Sequence, residues 1–197
     1  MTAGIHVLRI KRIIPTLSDD ENQRNNDAID DGKVTLRDAA IVITGLSCGI
    51  RACDLINLRL SDIDWINETI TFKQSKIGNL ICLPLIATIE NALARYISEE
   101  RPDAECNYLF VRQLAPITPL ADHASCHAVV SRVFKKAGIQ KGNRIFGMHM
   151  LRHNAASTMV KNEIPIETIA AILGHSSPDT TDIYITTDEK QIFDLAG

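Results

Sequence analysis

The chain has 197 residues, 45% hydrophobic and 23% charged, with a formal net charge of −3. That length holds one domain with its own core, and the composition is that of a folded globular chain rather than a disordered or collagenous one. No apolar stretch approaches the roughly 20 residues of a membrane span, and five cysteines without a C-x-x-C pair argue against a disulfide framework or zinc ribbon and for reduced thiols used as small core residues.

Residues 1–15 read as an extended basic lead-in ending at Pro15, without the apolar region of a signal peptide. Ser18 followed by Glu21 has the form of a capping box and predicts a helix from about 18 to Ile29, broken at Asp30-Asp31-Gly32. Leu36 to Leu46 reads as an apolar helix stopped by a turn at Cys48-Gly49. A short helix from Ala52 to Leu58 follows, with Leu55 and Leu58 inward. Residues 69–72 and 80–83 alternate as strands across a Gly78-Asn79 hairpin, with Pro84 ending the second. Ile86, Ile89, Leu93 and Ile97 recur at helical spacing up to Pro102, and 108–111 read as a third short strand.

Ser125 is the expected cap of a helix that buries Val129, Val130, Val133 and Phe134 and ends at Gly138. Three close helices follow. One runs from about His149 to Lys161. The next starts with Pro165 at its first position, buries Ile166, Ile169, Ala170 and Leu173 and stops at Gly174. The third is capped by Ser177 and carries Tyr184. The expected fold is therefore α+β, mainly helical, with a small three-stranded antiparallel sheet.

Charge is unevenly spread. Residues 18–31 hold six acids against Arg24, and residues 178–197 hold five against Lys190. Residues 125–176 hold seven Lys/Arg against two acids, a local excess of five positive charges that suits a phosphate-facing surface as well as a solvated helical face.

The chemistry concentrates on the late helices. Leu151, Ala155 and Met159 form the buried stripe of the 149–161 helix, with Arg152 at its shoulder and His149 beside it. An arginine there needs an anion or a carboxylate to meet it. His153, on the other flank, reads as a structural residue bonded to backbone. His149 and His153, spaced i, i+4, also admit a metal-site reading, but the string H-M-L-R-H lacks the glutamate of H-E-x-x-H. A helix-turn-helix DNA-binding module without catalysis is the other alternative, and it leaves Arg51, Lys76 and Tyr184 unexplained.

The string H-M-L-R-H-N-A-A-S-T, then L-G-H-S-S with Tyr184 nine residues after His175, resembles the signature of the tyrosine recombinases, the phage-integrase family. The segment G-L-S-C-G-I-R-A-C-D-L-I-N-L-R resembles the one carrying that family's first arginine, here Arg51. In Q-S-K-I-G-N-L-I, Lys76 stands where the family keeps a hairpin lysine. The resemblance covers residues 15–190 and departs at Asp54, where the family often has glutamate.

The resemblance implies a site-specific DNA recombinase or integrase with Arg51, Lys76, His149, Arg152, His175 and Tyr184 as catalytic residues, and no metal or cofactor. It implies double-stranded DNA as partner, self-association into a tetramer through a C-terminal tail from about residue 186, and action in the bacterial cytoplasm, away from the membrane. It makes residues 1–15 the linker remnant of a missing N-terminal core-binding domain and residues 16–197 the catalytic domain. Arg132, Lys135, Lys136, Lys141 and Arg144, in the basic segment, are the expected DNA-binding residues.

Overall fold

The computed structural model describes residues 16–174 apart from Ile77 and Ile145. Helix α1 (Asp19–Asp30) starts with the expected capping box: the Ser18 hydroxyl accepts from the Glu21 amide at 3.2 Å, and the Glu21 carboxylate accepts from the Ser18 amide at 3.1 Å. Helix α2 (Leu36–Cys48) is the central element, with Ala40, Ile41 and Val42 fully buried and three later helices packed around it. It ends at Gly49 in a left-handed conformation (φ 60°), which glycine adopts without Cβ strain. At Gly45 the crossing with the later helix that carries Leu151 is so close that a Cβ would lie 2.7 Å from Leu151 Cδ1.

Helix α3 (Ala52–Asn57) follows, with Leu55 and Leu58 buried as expected. The sheet is antiparallel in the order β1 (Ile63–Asp64), β2 (Thr69–Lys73), β3 (Leu80–Pro84), with Ile70 opposite Leu83 and Phe72 opposite Ile81. Ile70, Phe72 and Leu83 turn inward.

The third strand is not the expected 108–111. The Asp64 carboxylate accepts from the Ile66 and Asn67 amides and folds 63–64 back onto β2. Residues 108 and 111 make only isolated bridges, because Leu60 and Leu109 exchange backbone bonds with Asn107 and Leu58 instead of with the sheet.

Helix α4 (Ala87–Arg95) continues into a π-helical turn (Tyr96–Glu100), burying Ile89, Leu93 and Tyr96. Ile86 is its N-cap and 46% exposed, so it does not join that stripe. Helix α5 (His123–Lys136) is capped by Asp122, not Ser125. The Asp122 carboxylate accepts from the Ser125 amide, so the serine sits inside the first turn as donor.

Helix α6 (Met148–Lys161) buries its whole central run from Met150 to Ser157. Helix α7 (Ile166–Leu173) has Pro165 as N-cap rather than first residue, leaves Ile166 half-buried and ends at Gly174 (φ 60°).

All five cysteines are free, but only Cys48 and Cys126 are core residues, their thiols pushed up to about 12 by burial. Cys82 is exposed on the sheet. Among the described residues no helix is long and apolar enough to cross a membrane.

Candidate active site

Arg51 stands as N-cap of α3, immediately after the turn that ends α2, so its direction is set by the left-handed Gly49. Its Nη2 donates to the Gly174 carbonyl at 2.9 Å, across 123 positions of sequence. Its Nη1 is buried without a hydrogen-bond acceptor among the described residues, 3.9 Å from the Asp54 carboxylate.

Arg152 comes from α6 and is 7% exposed. Its Nη1 donates to the Gly49 carbonyl at 2.7 Å and its Nη2 to the Leu173 carbonyl at 2.6 Å. Both acceptors lie at helix C-termini, where carbonyls lack intrahelical partners and the helix dipole carries negative charge. The C-terminal end of α7 thus draws two guanidinium groups onto the adjacent carbonyls of Leu173 and Gly174, offsetting part of their mutual repulsion. Sequence alone did not foresee that two backbone carbonyls help to hold the Arg152 guanidinium.

Asp54, 3% exposed, ties this cluster to the sheet. Its Oδ1 accepts from the Ser75 amide at 2.7 Å, fixing the neck of the β2–β3 hairpin to α3. The shorter carboxylate at this position therefore makes a short, charge-assisted bond. Lys76 follows in the hairpin loop, exposed to solvent. Gln74, 4% exposed, lies against Gly174, where a Cβ would overlap its carboxamide.

His149 lies in the first turn of α6 as an exposed residue, with one side of its ring shielded by His153 (ring centroids 4.3 Å apart, planes at 87°). The two Nε2 atoms are 2.9 Å apart, so one donates and the other must be unprotonated. His153 is thus engaged with His149, as the i, i+4 spacing allows, in addition to the structural role expected of it. Desolvation, and then the nearby Arg152 charge, hold the His149 pKa below the ordinary histidine value. A neutral imidazole at neutral pH is the form that accepts a proton.

His175 and Tyr184 lie outside the described residues; His175 is next in sequence to Gly174, the acceptor of Arg51. Of the expected DNA-binding residues, Lys135, Lys136 and Lys141 are exposed, whereas both arginines are already engaged. Arg132 donates to Asp38 through Nε (2.8 Å) and Nη2 (2.7 Å). Arg144 forms a two-pronged pair with Glu21 whose side chains are 18% and 13% exposed. Sequence reasoning did not single out Gln74 or the carbonyls at 49, 173 and 174, because backbone acceptors carry no side-chain signature.

The sequence model of the Phage integrase family matches residues 15–191. Among curated relatives, two Sinorhizobium fredii proteins named provisionally as integrase/recombinases are similar. The first, y4rF, is 31% identical over 189 residues, covering 95% of this chain and 44% of that protein. The second, y4gC, is 34% identical over 167 residues, covering 82% and 84%. The crystal structure of the XerA recombinase superposes with a TM-score of 0.76 at 30% identity over 88% of this chain and 60% of that one. The chain thus spans less than two thirds of y4rF and of the XerA structure. Its helical architecture with one three-stranded sheet is that of the tyrosine recombinase catalytic domain, and the chain belongs to the phage integrase family.

Proposed function

We propose that this chain is the DNA-cleaving domain of a site-specific tyrosine recombinase, acting on double-stranded DNA. The observation that carries the reading is the convergence of Arg51 and Arg152 on the carbonyls of Gly174 and Leu173, directly before His175 and ten positions before Tyr184. Two guanidinium groups, planar and permanently charged, match the non-bridging oxygens of a phosphodiester and stabilise the charge that grows there in the transition state.

In the proposed reaction the Tyr184 oxygen attacks phosphorus and its proton passes to neutral His149. The P–O5′ bond breaks, O5′ takes a proton from Lys76, and a 3′-phosphotyrosyl ester remains with a free 5′-hydroxyl. Arg51, Arg152 and His175 hold the phosphoryl oxygens throughout. A 5′-hydroxyl from a second strand reverses these steps, so strand exchange needs no external energy source. Tetramer assembly on DNA through the segment after residue 186, and action in the cytoplasm, complete the reading. Capture of a covalent DNA adduct in EDTA, lost in Tyr184→Phe, is the experiment that tests it.

A further inference from the structure

Gln74 is a buried polar side chain at this junction to which the proposed reaction gives no role. Its backbone closes the neck of the hairpin, the amide donating to Asn79 O at 2.8 Å and the carbonyl accepting from the Gly78 amide at 2.9 Å. It therefore stands at the base of the loop that carries Lys76, two positions on.

The neck has two anchors on the helices. On one side the Ser75 amide donates to Asp54 of α3. On the other the Gln74 carboxamide occupies the space that a side chain at position 174 would need, directly over the turn that ends α7. That turn supplies the carbonyl held by Arg51, and the residue before it supplies one held by Arg152. Removing the Gln74 side chain would leave the neck of the hairpin held to the helices through α3 alone, and the loop beyond it freer to tilt relative to the two arginines.

A second observation sets Gln74 apart from a packing residue. Its Oε1 is buried with no hydrogen-bond partner among the described residues. Such an orphan acceptor carries a desolvation penalty that leucine or methionine of similar volume would avoid. A polar group kept at that cost beside a cluster of cations points to use in the working site.

We propose that Gln74 is a positioning residue: its carboxamide, seated on Gly174, fixes the hairpin so that the Lys76 ammonium stands at the phosphate gripped by Arg51 and Arg152. This rests on the reading of the chain as a tyrosine recombinase with Lys76 as proton donor.

The test uses 30-bp nicked duplexes selected from a randomised pool by covalent capture on the wild-type chain, made with either oxygen or sulfur at the 5′-bridging position of the scissile phosphate, a length of about three helical turns. A thiolate leaves without a proton, so loss of proton donation is rescued by sulfur, whereas loss of phosphate grip is not. Gln74→Ala should cleave the oxygen duplex about 10- to 100-fold more slowly, as expected for a misplaced donor, and the sulfur duplex within about 3-fold of wild type.

Lys76→Ala should show the same pattern, and Gln74→Met, which fills the volume without the carboxamide, should resemble Gln74→Ala. Equal losses on both duplexes, or full activity of Gln74→Met, would overturn the positioning role while leaving the recombinase reading intact. A wild-type chain that captures no duplex from the pool, or a Lys76→Ala variant with no sulfur rescue, would instead overturn the underlying reading and this inference with it.

Discussion

Arg152→Ala tests the structural half of the account. The side chain joins the C-terminal ends of α2 and α7 through bonds of 2.7 and 2.6 Å to the Gly49 and Leu173 carbonyls, both on buried residues. Truncation removes two charge-assisted hydrogen bonds, each contributing about 1.5–3 kcal/mol, and strands two carbonyls that α-helical geometry leaves unpaired. Water entering the vacated space offsets part of that loss, so the expected destabilisation is about 3 kcal/mol, or roughly 6–12 °C in Tm for a chain of this size. Arg152→Lys keeps the charge, but an ammonium does not span both acceptors, so about half of the loss should remain. Urea unfolding followed by far-UV circular dichroism and by the fluorescence of Trp65, the single tryptophan, measures both variants. If Arg152→Ala unfolded within about 1 kcal/mol of wild type, less than one such bond is worth, the bridge between α2 and α7 would not carry the stability assigned to it.

Four further outcomes are expected. His149 has a folded-state pKa below the ordinary 6.5, so the folded chain resists protonation that the unfolded chain accepts. Its contribution to stability is therefore constant above that value and declines as pH falls below it, and the acid limb of a cleavage-rate profile should have its midpoint below 6.5 and vanish in His149→Gln. A midpoint at or above the ordinary value would contradict the assignment. Asp54→Ala should cost about 1–3 kcal/mol and strip hydrogen-exchange protection from the Ser75 amide; unchanged protection there would remove the hairpin anchor. Lys135→Ala and Lys136→Ala should each lower the salt slope of DNA affinity by about one, measured by fluorescence anisotropy, if these exposed lysines meet phosphates. Arg144→Ala should act mainly on stability through the Glu21 pair, and the reverse pattern would reassign both.

Local chemistry made much of the fold legible. Ser18 and Glu21 wrote a capping box that the backbone obeys, and Gly49 and Gly174 ended helices where expected. The errors arose where two residues competed for one role. Asp122 outranked Ser125 as cap because its carboxylate lies three residues before an available amide, and Pro165 served as the cap of α7 rather than its first residue. The third strand was misplaced because its pairing depends on the Asp64 turn, not on the apolar run at 108–111.

At the site, residue types and spacing pointed to His149 and Arg152, and the family resemblance to Arg51 and Lys76, but neither pointed to what holds them. The two arginines are restrained by carbonyls from distant segments, which no side-chain pattern encodes. The basic segment shows the same limit, since charge counting could not reveal that Asp38 and Glu21 already hold Arg132 and Arg144.

The central claim is that a tyrosine in this chain breaks DNA through a covalent ester. The most direct measurement incubates the chain in EDTA with end-labelled nicked duplexes from the captured pool and maps the protein–DNA adduct by peptide mass spectrometry. The account predicts an adduct on the peptide containing Tyr184, a free 5′-hydroxyl on the released strand, and no adduct with Tyr184→Phe. An adduct that forms equally well with Tyr184→Phe, or cleavage that leaves no protein-linked DNA, would contradict it.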